Sequence, residues 1–125
     1  MTVTDQSTHP AQADTVFGSI DWLAVPDVAE RLGVPVTRVH QYARDGQLIS
    51  VRIDGAVRIP ADVLDGNAML KYLPGVLTVL RDGGYTDEEI LEWLFADDDS
   101  LPGRPIDAVR DDRHKEITRR AQAML

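Results

Sequence analysis

Clear hydrophobic periodicity begins at Pro26–Leu32, where Val28, Ala29 and Leu32 fall at i, i+1 and i+4 and share one face of a helix. Pro26 suits a first-turn position and Asp27 complements the helix N-terminus. Gly33 supplies the left-handed residue that ends the helix. After a hinge at Val34-Pro35, the spacing predicts a second helix over Val36–Asp45. Val36, Val39 and Ala43 (i, i+3, i+7) form its inward stripe, with Tyr42 beside them, and Gly46 closes it. Leu48–Val51 and Ala56–Ile59 then read as two short strands joined at Asp54-Gly55, a strong hairpin signal.

Helical spacing resumes after Pro60, with a turn of helix through Leu64 and a break at Asp65-Gly66-Asn67. Leu73-Pro74-Gly75 leads into a helix over Val76–Arg81, in which Val76, Leu77 and Leu80 share a face and Gly83-Gly84 is the stop. Thr86 followed by Glu89 is a capping box that opens a helix to about Phe95, with Ile90, Leu91, Leu94 and Phe95 as its buried stripe and Trp93 alongside. Asp97–Arg104 is a polar loop, Pro105–Val109 a short helix, and Arg113–Leu125 a final amphipathic helix with Ile117, Ala121 and Met124 in register. The stretch 1–19 lacks periodicity, is rich in Thr, Gln, Ala, Asp and Ser, and reads as a disordered tail. The predicted organisation is a tail (1–19), a helix-turn-helix with a hairpin (20–66) and a C-terminal helical extension packed on it (67–125).

Composition narrows the class. The chain has 125 residues, 43% of them apolar, which suits one or two small folded units around a modest core. It has no cysteine, which removes disulfides and Cys-based zinc and fits a reducing compartment. No apolar stretch approaches the roughly 20 residues of a membrane span, and the N-terminal stretch shows neither an h-region nor an early positive cluster. A cytoplasmic protein with no membrane partner is the expectation.

The net charge of −8 at first argues against nucleic acid, but its distribution matters more than its sum. Met1–Val25 carries three acids and no base, and Ala61–Leu125 carries eight bases against fourteen acids. Pro26–Pro60 carries five arginines against four acids, so the helix-turn-helix segment alone is not acidic.

Two short helices around a tight turn, followed by a Gly-tipped hairpin, give the element order of a winged helix-turn-helix. There the second helix lies in the major groove, burying one face and offering the other to the DNA. With Val36, Val39 and Ala43 inward, Thr37, Arg38, Gln41 and Arg44 stand outward. Arg binds guanine bidentately, Gln binds adenine bidentately, and Thr bonds phosphate or touches a thymine methyl. Arg52 and Arg58 flank the hairpin tip, where a wing uses them on phosphates or in a narrow minor groove. Any solvated helix also carries polar residues on its outer face, and although His40 is compatible with a phosphate contact, a lone His is more often surface or satisfied packing.

The run Val28-Ala29-Glu30-Arg31-Leu32-Gly33-Val34-Pro35, with Arg38-Val39-His40-Gln41-Tyr42, Asp45-Gly46-Gln47-Leu48 and Arg58-Ile59-Pro60, resembles the helix-turn-helix and wing of MerR-type regulators and phage excisionases. It departs at Pro35, where those proteins have a Ser or Thr cap on the recognition helix. A wider resemblance runs through Leu73-Pro74-Gly75-Val76-Leu77-Thr78-Val79-Leu80, Asp82-Gly83-Gly84-Tyr85, Trp93-Leu94-Phe95 and Arg104-Pro105-Ile106-Asp107-Ala108. These segments are similar to the actinobacterial winged helix-turn-helix DNA-binding proteins known as Ser/Thr-kinase substrates. The resemblance implies a phosphoprotein whose DNA binding weakens when a tail threonine is phosphorylated. Thr8 is the preferred site here among Thr2, Thr4, Thr8 and Thr15, and a Ser/Thr protein kinase is the implied partner. Leu101-Pro102-Gly103-Arg104-Pro105-Ile106-Asp107-Ala108-Val109 also resembles the C-terminal segment of Xre/MbcA/ParS-type antitoxins, a helical arrangement suited to packing or to homodimerisation.

Enzyme readings find no support. No phosphate-cradling Gly-rich loop is present, Asp97-Asp98-Asp99 and Asp111-Asp112 lack EF-hand spacing, and His9, His40 and His114 are scattered. The expected fold class is mainly α: a winged helix-turn-helix with a two-stranded wing plus C-terminal helices. The expected function is binding of double-stranded DNA in transcription regulation, without catalysis, cofactor or metal. The alternatives are an antitoxin-like or adaptor module whose acidic half binds another protein, and a DNA-packaging or excision accessory factor.

Overall fold

The computed structural model describes residues 16–101, 103–111 and 113–124. Residues 16–19, which the sequence places in the tail, belong to the fold. Val16 and Ile20 are buried, the Trp22 indole N–H donates to the Phe17 carbonyl at 3.1 Å, and the two rings meet edge to face.

The helix-turn-helix consists of α1 (Val25–Leu32) and α2 (Val36–Arg44). Both end in the same way. Gly33 and Gly46 take positive φ (69° and 80°), a conformation that costs glycine least. Behind each, two amides turn back onto the helix. Val34 and Gly33 donate to the carbonyls of Ala29 and Glu30, and Gln47 and Gly46 donate to those of Tyr42 and Ala43, the paired bonds of a Schellman motif.

The wing hairpin is β2 (Val51–Ile53) and β3 (Ala56–Pro60). Asp54 and Gly55 both have positive φ (53° and 82°), as a type I′ turn requires. The first wing strand begins at Val51 and not at Leu48. Leu48 and Ile49 are both fully buried, so the side chains do not alternate there. The Leu48 N–H donates to Tyr42 O and the Leu48 carbonyl accepts from Arg81, leaving neither free for a ladder.

A strand absent from the sequence reading, β1 (Trp22–Ala24), pairs antiparallel with β3 in the register Trp22 to Pro60, Leu23 to Ile59 and Ala24 to Arg58. The two-stranded wing therefore belongs to a three-stranded sheet of order β1-β3-β2, with β3 central. After a single 3-10 turn (Ala61–Val63), the expected break at Asp65-Gly66-Asn67 is the tip of a second small hairpin, β4 (Leu64–Asp65) with β5 (Ala68–Met69).

The second half contains α3 (Leu73–Asp82), α4 (Asp87–Phe95), α5 (Pro105–Arg110) and α6 (His114–Ala123). The α3 helix starts at Leu73, three residues before the expected Val76, with Pro74 inside its first turn, where its missing N–H costs nothing. The Thr86–Glu89 capping box forms in both directions, at 3.2 and 2.8 Å. The most extensive helix packing is between α3 and α6. Val28, Val39 and Ile59 of the first half join Leu77, Leu94 and Ile117 of the second in one continuous core.

Candidate nucleic-acid interface

The α2 helix begins directly at Val36. Pro35 occupies the N-cap, and no side chain caps the helix. Arg38 and Val39 instead direct their amides to the Pro35 carbonyl, at 2.9 and 3.4 Å. Val39 is the one residue of α2 that is buried, with Tyr42 and Ala43 half-buried behind it. Val36, expected in the inward stripe, is 41% exposed. At the first position of the helix it projects ahead of the surface that Val39 covers, so the i, i+3 spacing does not bring it inward.

The remaining outer positions are as the pattern predicts: Thr37, Arg38, His40, Gln41 and Arg44 are all exposed. Thr37, Gln41 and Arg44 (i, i+4, i+7) line one ridge, and Arg38 and Gln41 (i, i+3) are neighbours on it. Together with Val36 they make a face that is polar, cationic and apolar at one edge.

In the wing, Arg52 is exposed on edge strand β2 and Arg58 is half-buried on central strand β3. The Arg52 guanidinium reaches around the turn to donate to the Gly55 carbonyl at 3.2 Å. Arg52 lies opposite Val57, and Arg58 lies opposite Val51. Residues facing each other across a ladder share a face and neighbours along a strand alternate, so the two arginines leave the sheet on opposite sides.

Four arginines of the second half are engaged by side-chain hydrogen bonds or ion pairs. In the second half, Arg104 pairs with Asp62 (2.7 Å) and Asp107 (2.8 Å), Arg120 with Glu116 (2.7 Å), and Arg81 with Asp87 (3.0 Å). The Arg110 guanidinium donates to the carbonyls of Asp62 and Leu64. Hydrogen bonds from Arg104 hold the Asp107 carboxyl below its ordinary range and raise the Arg104 pKa in return. The Asp98 carboxyl is lowered chiefly by hydrogen bonds from Ser100. In the first half Arg31 donates to the Gly66 carbonyl. Among the described residues Arg38, Arg44 and Arg58 have no ion pair or side-chain hydrogen bond, a state shared in the second half with Lys71, Arg113, Lys115 and Arg119.

Sequence reasoning missed two features. The exposure of Val36 carried no signal, because its spacing matched the core stripe. The reach of Arg81 to α2 crosses more than thirty positions of sequence and left no local trace. Thr8 lies outside the described residues. Among those described, no helix is long and apolar enough to cross a membrane, and no group of three or more His, Cys, Asp or Glu is placed to hold a metal ion.

Comparison with known proteins agrees with this architecture. Residues 8–64 match the family model described as "DNA-binding protein Rv2175c, wHTH domain", and residues 70–125 match "Rv2175c C-terminal domain of unknown function". DNA-binding protein Rv2175c of Mycobacterium tuberculosis (strain ATCC 25618 / H37Rv) is 45% identical over 128 residues, spanning 92% of this chain and 88% of that protein. The solved structure titled "NMR structure of Rv2175c" superposes with a TM-score of 0.81 at 38% identity, covering 99% of both chains. The family is one of DNA-binding proteins and not of enzymes. With both parts of the chain matched in order and the fold shared end to end, this chain belongs to the Rv2175c family, a winged helix-turn-helix unit followed by its C-terminal domain.

Proposed function

We propose that this protein binds duplex DNA in the cytoplasm and acts in transcription regulation. In this reading α2 lies in the major groove with Thr37, Arg38, Gln41 and Arg44 toward bases and phosphates, and the wing brings Arg52 or Arg58 to the backbone. The observation that carries it is the exposed outer face of α2, where Arg38 and Arg44 have no partner among the described residues while the arginines of the acidic half are mostly engaged. The relative Rv2175c, named a DNA-binding protein, supports it. A salt titration of binding to duplex DNA tests it. The proposal expects log K to fall linearly with log salt, and a binding constant indifferent to salt overturns it.

Control by the tail is part of the proposal. A phosphate on Thr8 adds roughly −1.5 to −2 charges beside a reader segment of five arginines and four acids, enough to cancel its attraction for DNA. A Ser/Thr protein kinase is the partner this requires. If Thr8→Glu binds DNA as tightly as the parent at low salt, the control fails while DNA binding stands.

One observation favours the adaptor alternative. A surface pocket of about 420 Å3 is lined by Glu89, Glu92, Trp93, Ala96, Asp97, Asp98 and Pro105, a surround suited to a basic side chain of a partner protein or of a second copy. Under that reading alone, duplex binding shows no counterion-release slope.

A further inference from the structure

The C-terminal domain has no assigned function in the family, and its contacts with the reader are unevenly placed. The Arg81 side chain, from the last turn of α3, crosses to the end of α2. There its Nη1 donates to the Gly46 carbonyl at 3.1 Å and its Nη2 to the Leu48 carbonyl at 3.4 Å, while its Nε donates to Asp87 Oδ1 at 3.0 Å. Asp87 is the first residue of α4. One guanidinium thus ties the backbone that follows α2 to a carboxylate at the positive end of α4. The approach is close: a Cβ at Gly46 would meet Arg81 Nη1 at 3.2 Å.

The α2 helix depends on such help. It has nine residues, no side-chain cap at its N-terminus and a single buried residue, Val39. Short helices are marginal unless their ends are satisfied and their faces packed. Val39 anchors it, with Tyr42 packed partly against the core, and the Gly46–Leu48 backbone that follows its end is held by Arg81.

We infer that Arg81 is a positioning residue for DNA reading: the C-terminal domain uses it to fix the direction of α2 relative to the wing. The inference rests on the DNA-binding reading of α2. Arg81 touches no DNA itself. It holds the C-terminal end of α2, whose middle is held by Val39 and Tyr42, so that Arg38, Gln41 and Arg44 reach the groove together.

The test compares Arg81→Ala with Val109→Ala, which opens a cavity in α5 of the same domain at a residue that is none of the partners of Arg81. The measurements are amide hydrogen exchange and affinity for a random-sequence duplex across a salt series. In Arg81→Ala, amides at the α2 end, from Arg44 to Leu48, should exchange at least about tenfold faster while those of Leu91 and Leu94 keep their rates. Affinity should fall about tenfold with the parental salt slope, and Val109→Ala should bind as the parent does. A slope lower by about one unit means that Arg81 itself holds a phosphate, and overturns the inference. Equal losses of affinity in the two variants reduce it to general stability and overturn it too, as does unchanged exchange at the α2 end. If the parent does not bind duplex DNA at all, the function proposed above fails, and the exchange data alone decide whether Arg81 braces α2. Should Arg81→Ala not fold, Arg81→Lys carries the same comparison, since an ammonium keeps the charge but cannot span both carbonyls and Asp87.

Discussion

Arg52 and Arg58 stand on opposite faces of the wing, one opposite Val57 and the other opposite Val51. A hairpin laid against a duplex presents one of these faces to the nearest phosphates. Each phosphate contact contributes about one unit to the salt slope of binding. Replacing both arginines by alanine should therefore lower the slope by about one unit and not two, with one single variant reproducing the whole effect. A drop of two units would show that the wing enters a groove edge-on and uses both faces.

Arg38 and Arg44 lie on the exposed side of α2 with no partner among the described residues, so their removal leaves no orphaned group behind. Either alanine variant should lose about 1–3 kcal/mol of affinity for a specific duplex if that arginine binds guanine bidentately. Thermal unfolding should stay at the parental midpoint. Parental affinity in both variants would remove α2 from the interface.

Val36 and Val39 are three positions apart yet differ in environment, the first 41% exposed and the second 1%. Val39→Ala opens a cavity at the main apolar anchor of α2 and should destabilise the protein by about 2 kcal/mol. Val36→Ala should stay within about 0.5 kcal/mol of the parent. Chemical denaturation of the two variants measures the contrast, and equal losses would contradict the exposed placement of Val36.

The Asp107 carboxyl is depressed by the hydrogen bonds it accepts from Arg104. A carboxyl with a folded pKa below its unfolded value, about 3.9, contributes stability that is present above that value and is lost as pH falls through the folded pKa. Unfolding free energy should therefore decline on acidification below about pH 4. Asp107→Asn should begin lower and show a shallower acid decline, measured by denaturant titration across pH. The same decline in Asp107→Asn as in the parent would mean that other carboxylates dominate acid unfolding.

Much of the fold was legible because its signals are local. Gly33, Gly46 and Asp54-Gly55 each impose a backbone conformation on their own residue, and the Thr86–Glu89 box closes across three positions. Such features need no distant partner, and all of them form where the spacing placed them. The outward set Thr37, Arg38, Gln41 and Arg44 was legible for the same reason: helical phase places these side chains opposite the buried Val39.

By itself, then, the sequence determined the order of helices and hairpin, the turns that join them, and which polar residues of α2 face outward, because each depends on neighbours a few positions away. The tertiary structure alone decided three other things. It recruited Trp22–Ala24 as a strand, since a three-residue segment becomes one only when β3 offers it a free edge. It left Val36 outside, since the core ends at Val39. It also seated Arg81 on the carbonyls of Gly46 and Leu48, a contact that exists only because the packing of α3 and α4 brings that guanidinium to the end of α2.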